Sequence, residues 1–218
     1  MMKDPVFRTK TAAVLGCGGL GNNVLAHFAG EGVGRVIFCD GDKVEEGNLD
    51  RQFLFGVADV GREKTAAAAD FFTRYAPQTR ICPVQKRVKT KEDLAFAASA
   101  DVLAVCVDNA AARKTAIDFC KETGVPCVTA GVSGSFGQAY LWLPGKTPCP
   151  KCAGLLGKDP ALPSPSSTVA LAGALLAKLA IGVLKGDESK AGTLFVIDGE
   201  EISALKIKGM KGCRSCGS

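Results

Sequence analysis

Glycines at 16, 18 and 21, set between two apolar runs of which the second ends on an acid, leave this chain few ways to fold. The stretch Val14-Leu15-Gly16-Cys17-Gly18-Gly19-Leu20-Gly21 reads as a buried strand, a tight turn and the start of a helix. A second apolar run, Arg35–Cys39, then delivers Asp40-Gly41-Asp42. The glycines let the backbone turn sharply and approach a phosphate closely. The helix beginning near Gly19 aims its free N–H groups and positive dipole end at that phosphate. Asp40 falls 19 residues past Gly21, at a strand end where a carboxylate accepts hydrogen bonds from ribose hydroxyls. The pattern predicts a nucleotide site; alone, it does not choose the nucleotide.

The alternation continues along the chain. Strand-like runs at 12–15, 35–39, 80–84, 102–107, 125–129, 138–143, 193–197 and 202–207 interleave with helical patterns at 19–31, 61–75, 91–98, 109–123 and 166–185. This predicts an α/β fold, a Rossmann-like mixed sheet with a parallel core and helices on both faces. Asp198-Gly199-Glu200-Glu201 is a turn signal, so the last two strands are expected to form an antiparallel hairpin at the sheet edge. Residues 1–218 read as a single domain, long enough to bury a core without disulfides. Three loops stand out: Gly41–Val60, Pro144–Pro150, and Gly154–Pro165 with Pro160, Pro163 and Pro165. Long loops in such a domain are functional or disordered. The helix from Ser166 is rich in Ala, Gly and Leu on nearly all sides. It fits either a central core helix or one partly buried by a second subunit.

Ten cysteines, with no apolar segment behind Met1-Met2-Lys3-Asp4-Pro5 to act as a secretory signal, predict a reducing cytoplasmic setting. The longest apolar stretch, 169–184, carries Lys178 and is too short to span a bilayer, so no membrane is expected as a partner. The net charge of +5 comes from dispersed Lys and Arg with a mild excess at Lys206–Lys211; a solvated surface accounts for it better than nucleic acid does. Four cysteines form two matched knuckles, Cys149-Pro-Lys-Cys152 and Cys213-Arg-Ser-Cys216. Each sets two thiolates on one side of a tight turn, and together they make a tetrahedral site for Zn²⁺. Lys151 and Arg214 would offset its charge. Four protein ligands leave no open position, so this zinc is structural. A pair of redox dithiols is the alternative. His27 lies inside the first helix and is assigned no role.

The residues around the nucleotide pattern narrow its identity. Asn48-Leu49-Asp50-Arg51-Gln52 follows Asp40 and Asp42, and Gly61-Arg62-Glu63-Lys64 opens the next helix, from which Lys64 can reach back. A pyrophosphate needs few cations; a nucleoside triphosphate needs more, from Arg, Lys and Mg²⁺. The fourth strand runs into Val107-Asp108-Asn109 and so puts Asp108 at the carboxyl edge of the sheet, where ligands of open α/β folds bind. Asp108 there is a natural Mg²⁺ ligand; the plainer reading is that Asp108 or Asn109 caps the following helix. Arg51 and Lys64 could likewise be solvated surface charges.

Taken together, GCGGLG, DGD with NLDRQ after it, GREK, VDN and both CxxC knuckles, in this order from Lys10 to Gly217, resemble the ThiF/MoeB/HesA family. These are the bacterial relatives of ubiquitin-activating enzymes. The resemblance implies an adenylyltransferase that binds Mg·ATP and the C-terminal glycine pair of a small ubiquitin-like sulfur-carrier protein. Its product is an acyl-adenylate for thiamine- or molybdopterin-type sulfur transfer. It further implies a homodimer. By matched position, Gly16, Gly18, Gly19 and Gly21 would pack on the phosphates, and Asp40 and Asp42 would lie at the ribose end. Asn48, Arg51 and Lys64 would stabilise the triphosphate, with Gln52 and Asn109 lining the site and Asp108 holding Mg²⁺. The loop 154–165 would guide the carrier tail.

Two departures from that family alter the expectation. Members begin with a helical arm bearing an RYxRQ-like motif whose arginine enters the partner's site; here eleven residues precede the first strand-like run, and Arg8 is close to it. Either Arg8 substitutes imperfectly or catalysis is weakened. The segment Pro163-Ser164-Pro165-Ser166-Ser167-Thr168 also lacks the cysteine that many members use for a covalent link, which fits sulfur supplied by a separate donor protein. A non-catalytic scaffold that binds the carrier or a partner is the competing reading. An NAD(P)-dependent oxidoreductase is disfavoured by the cationic loop and by the lack of a placed catalytic His, Tyr or Lys.

Overall fold

Eight strands of this chain form one sheet in the order β3-β2-β1-β4-β5-β6-β7-β8. The computed structural model describes residues 5–156, 162–213 and 215–216. Pro160, Arg214 and Gly217, which the sequence reading used, lie outside the described residues.

The first half of the sheet grows outward in both directions from a central strand. β1 (Thr11–Leu15) pairs in parallel with β2 (Arg35–Asp40) on one side and with β4 (Val102–Val105) on the other. β3 (Arg80–Gln85) adds to β2, and β5 (Cys127–Ser133) adds to β4, both parallel. Chain order therefore reverses between β1 and β4, and their carboxyl ends diverge into a crevice, the place where open α/β sheets bind ligands. β1 and β4 are nearly continuous apolar runs because both faces are covered. β3 tolerates Pro83 because it is an edge strand with one side free of ladder bonds.

Helices cover both faces, as the pattern predicts. α1 (Gly19–Glu31), α2 (Lys64–Tyr75) and α4 (Ser166–Leu184) share one core cluster, in which Phe28, Phe72 and Leu176 pack with Val14 and Phe38. α3 (Ala110–Thr123) covers the other face, where Ile117 and Cys120 meet Leu15, Leu103 and Tyr140. The run 91–98 predicted as helical is a 3-10 segment, Glu92–Ala97, on that same face.

The antiparallel portion is larger than expected. It begins at β6 (Phe136–Trp142), which turns back on β5 through a hairpin closed at Ser133 and Phe136. Gly134 in that turn has φ of 56°, a left-handed conformation that glycine adopts without strain. β7 (Thr193–Asp198) and β8 (Glu201–Lys206) then complete the expected hairpin. α4 extends the 16-residue apolar stretch to 19 residues, and its mean hydropathy of 1.9 meets the length and composition of a membrane span. Its packing accounts for that composition: half of the window is buried, against α1 and the sheet. Close helix contact uses its small residues, since a Cβ on Gly173 would lie 2.5 Å from Asn23 Cβ. The core-helix reading holds for this face; Leu171 and Lys178 stay exposed.

The N-terminal 3-10 turn Pro5–Thr9 buries Phe7 beneath the amino end of the sheet, where the Phe7 carbonyl accepts from the Gly34 N–H. Arg8 is exposed at that edge, opposite the crevice. It does not reach the crevice of its own chain.

Candidate functional site

A cavity of about 590 Å³ opens at the carboxyl ends of β1, β2, β4 and β5. Gly16, Gly18, Gly19, Asp40, Asp42, Asn48, Arg51, Gln52, Lys64, Asp108 and Asn109 all line it. Gly21 does not. A Cβ on Gly21 would lie 2.8 Å from the Gly16 carbonyl carbon and closer still to its oxygen, so this glycine lets α1 pack against the turn. Gly18 is the opposite case. The nearest atom a Cβ there would meet is Gln52 Nε2 at 4.0 Å, so residue 18 faces open cavity. Gly18 is also the N-cap of α1 and provides no side-chain cap, which leaves the first N–H groups of the helix for a ligand.

Asp40 holds the turn as well as facing the cavity. Its Oδ2 accepts from the Cys17 N–H at 2.6 Å and its Oδ1 from the Asp42 N–H at 2.7 Å. Burial raises its pKa from the ordinary carboxylate value, and the two amide bonds and the Lys64 charge only partly oppose that. Each oxygen keeps lone-pair capacity for a further donor.

Lys64, the first residue of α2, is 7% exposed. Its ion-pair partner, Asp42 Oδ2, lies 3.8 Å from Nζ, beyond hydrogen-bond range. Among the described residues Nζ has no hydrogen bond. A buried ammonium without donors' partners is costly, and an anion in the cavity would satisfy it. Gln52 adds a second unmet group: it is 4% exposed and its Oε1 is buried without a partner among the described residues. Arg51 Nη1 donates to Asp50 Oδ1 at 2.6 Å and to the Gly47 carbonyl at 3.1 Å, with the side chain one-third exposed at the cavity wall. The capping question at the end of β4 resolves onto Asn109, whose Oδ1 accepts from the Ala112 N–H at 2.7 Å. Asp108 is exposed on the cavity, and its carboxylate makes no hydrogen bond among the described residues.

The loop 41–60 is ordered by two 3-10 turns, Glu46–Asn48 and Val57–Asp59, and by a bridge between Lys43 and Glu63. That ordering brings Arg51 and Gln52 to the glycine turn. Three further groups escaped the sequence reading. Lys86, Arg87 and Val88 line the cavity just past β3, where the Lys86 N–H binds the Asp40 carbonyl and Arg87 pairs with Asp42. Position after a parallel strand was the available signal. Arg113 on α3 is buried, with Nη2 donating to the Val107 and Ala130 carbonyls at 2.7 and 3.2 Å. Gly131–Ser133, Phe136 and Gln138 extend the cavity across β5 and β6 towards Gly154 and Leu155. These last depend on the hairpin register, which has no local sequence signal.

The four knuckle cysteines converge on the α3 face. Their sulfur atoms all lie within 4.8 Å of one another, with Cys149–Cys152 at 3.9 Å, Cys149–Cys213 at 3.8 Å and Cys152–Cys216 at 3.6 Å. A tetrahedron with Zn–S bonds of about 2.3 Å has edges of about 3.8 Å, so the thiol set fits zinc. Backbone N–H groups of Ser215 and Cys216 lower the Cys213 pKa, which favours the thiolate. Gly154 and Leu155, two and three residues past Cys152, join this cluster to the cavity wall.

With this geometry in hand, comparison with known proteins is informative. A profile of the ThiF family matches residues 6–215. The sulfur carrier protein ThiS adenylyltransferase of Escherichia coli (strain K12) is 31% identical over 212 residues, 94% of this chain and 84% of that protein. The molybdopterin-synthase adenylyltransferase of the same organism is 31% identical over 214 residues, 94% of this chain and 86% of that protein. Among solved structures, E. coli MccB aligns with a TM-score of 0.85 over 98% of this chain and 67% of that one, at 24% identity, which is a likeness of fold.

Proposed function

The chain belongs to the ThiF family, and from that premise we propose that it is an ATP-dependent adenylyltransferase activating the C-terminal carboxylate of a small sulfur-carrier protein. The carrier would be ubiquitin-like and end in a glycine pair. The observation that carries this reading is Lys64, a buried ammonium with no hydrogen-bonded partner among the described residues, beside Arg51 in a cavity large enough for a nucleoside triphosphate. A nicotinamide dinucleotide would not call for that pair of cations.

The reacting carboxylate is ionised at neutral pH, so the chain need not supply a general base. A carboxylate oxygen attacks the α-phosphorus of ATP and a new P–O bond forms. The bond from that phosphorus to the bridging oxygen breaks, and pyrophosphate leaves with the electron pair. Catalysis then consists of in-line positioning and neutralisation of the charge that builds on the leaving group. Lys64 and Arg51 neutralise it, Arg51 after exchanging Asp50 for phosphate. Asn48 and the Gln52 side chain bind along the triphosphate. The open face at Gly18 and the free N–H groups of α1 accept the phosphates, and Asp40 and Asp42 hold the ribose end. Asp108, with its carboxylate free, would hold Mg²⁺. When bound, Mg²⁺ supplies further charge neutralisation on the phosphates. The cavity arm over Gly131 and Gln138 would receive the carrier tail. Cys149, Cys152, Cys213 and Cys216 would hold a structural zinc. Residues 1–218 act as one nucleotide-binding unit, a homodimer in the cytoplasm, with sulfur supplied by a separate donor protein.

ATP–pyrophosphate exchange with Mg²⁺, run against a panel of small carriers ending in a glycine pair, tests this. Exchange that depends on one carrier and is lost in Arg51→Ala supports the reading. Mg·ATP binding without exchange across the panel would instead favour a non-catalytic scaffold.

A further inference from the structure

One side chain joins two of the segments that line the cavity. Asn22 sits in the first turn of α1 and is 2% exposed. Its Nδ2 donates to the Cys17 carbonyl at 2.8 Å, and its Oδ1 accepts from the Leu54 N–H at 2.8 Å. One amide therefore bridges the glycine turn and the segment carrying Arg51 and Gln52. Asparagine is a poor choice for a helix interior on intrinsic grounds, because its side chain competes for backbone groups. Here that competition is the use: donor and acceptor point at two different loops. Neither aspartate nor leucine, both of similar size, could serve both ends.

The Arg51 segment has its own internal bonds. The Leu49 N–H reaches Glu46, the Arg51 N–H reaches Asn48, and the Phe55 N–H reaches Gln52. Among the described residues the Arg51 guanidinium likewise bonds within this loop, to Asp50 and Gly47. These contacts make the segment a unit without saying where it stands. The Leu54–Asn22 bond, spanning 32 residues, ties that unit to α1. Gln52, two residues before Leu54, sets its Nε2 4.0 Å from where a Cβ on Gly18 would stand, so the segment meets the glycine turn at contact distance. We infer that Asn22 is a positioning residue, setting the distance between the glycine turn and the Arg51–Gln52 segment. It touches no reacting atom. The inference rests on the adenylation reading above.

The test is a double-mutant cycle on the full chain, with Mg·ATP affinity by calorimetry and exchange kinetics with the active carrier as separate readouts. Asn22→Ala is expected to raise the Mg·ATP Kd of the otherwise wild-type chain by about tenfold, with exchange kcat/KM falling in parallel. In an Arg51→Ala background the same substitution should alter the Mg·ATP Kd by less than about twofold, since the group being positioned is gone. Equal losses in both backgrounds would mean that Asn22 merely supports the fold, and would overturn the inference. If Asn22→Ala does not fold, Asn22→Asp replaces it. Asp keeps the Leu54 acceptor and loses the Cys17 donor, and the same non-additivity is required of it. A wild-type chain that shows no exchange would sink the adenylation reading; the calorimetric cycle would still decide whether Asn22 positions Arg51.

Discussion

Gly18 and Gly21 lie three residues apart in one motif, yet the structure gives them different work, and substituting each by alanine separates the two. At position 21 the added Cβ falls 2.8 Å from the Gly16 carbonyl carbon and closer to its oxygen. Ordinary carbon contacts sit at about 3.5–4.0 Å, so α1 must recede from the turn by about 1 Å. Neither side can yield cheaply: Gly16 is itself pinned, its Cβ position 2.7 Å from the Cys106 carbonyl oxygen. Overpacking of this kind costs about 3 kcal/mol or more. For a chain of this length that lowers Tm by roughly 6–12 °C. At position 18 the backbone has φ of −73°, open to any residue, and the Cβ meets nothing closer than 4.0 Å. Gly18→Ala should therefore shift stability by no more than about 1 kcal/mol, the scale of an N-cap change. Its methyl group would occupy the space assigned to phosphate, raising the Mg·ATP Kd by about tenfold or more. Thermal unfolding and calorimetric titration of both variants read the two effects independently. A Gly18→Ala protein that binds Mg·ATP normally would refute the phosphate cradle, and a Gly21→Ala protein that melts like wild type would refute the packing argument.

Three further outcomes follow from the same structure. Cys213→Ser should release zinc, measured by atomic absorption, and lower Tm by roughly 6–12 °C, the scale of about 3 kcal/mol at this chain length; a native protein purified without zinc would end that reading. Burial raises the Asp40 pKa, so the folded state holds this proton more tightly than the unfolded state does. Stability that wild type has relative to Asp40→Asn should then fall as pH rises from the ordinary aspartate value through the raised one, read by denaturant melts; an advantage that grows over that interval contradicts the burial argument. Iodoacetamide on the zinc-loaded protein should modify Cys82 and leave exchange intact, because Cys17, Cys39, Cys106, Cys120 and Cys127 are buried and burial pushes the Cys39 thiol up to about 12. Loss of exchange without loss of zinc would point to a cysteine in the chemistry.

Much of this molecule is written in local chemistry. The boundaries of α1 read correctly from the glycine turn to Glu31, because caps, turns and hydrophobic period act over a few residues. Asp40, Asp108 and Lys64 reached the cavity as expected because each sits at the end of a strand or the start of a helix, and the parallel topology delivers such ends to one edge. The paired CxxC spacings foretold their own convergence, since a four-sulfur site needs both pairs. Other features had no local signal. The reversal at β6 depends on which strand the chain docks against after Gly134, and the 3-10 form of Glu92–Ala97 depends on how that segment packs beneath the sheet. Lys86, Arg113 and Gln138 join the cavity through pairings of distant strands and helices. Sequence alone thus determined the class of fold, the glycine turn that opens α1 and the two cysteine knuckles that converge, whose physics is short-ranged. Only the tertiary structure decided that Gly18 faces the cavity while Gly21 packs against the turn, that Lys64 is buried with no hydrogen-bonded partner among the described residues, and that Asn22 ties two segments together. Those properties are distances between segments far apart in the chain, and no residue carries them by itself.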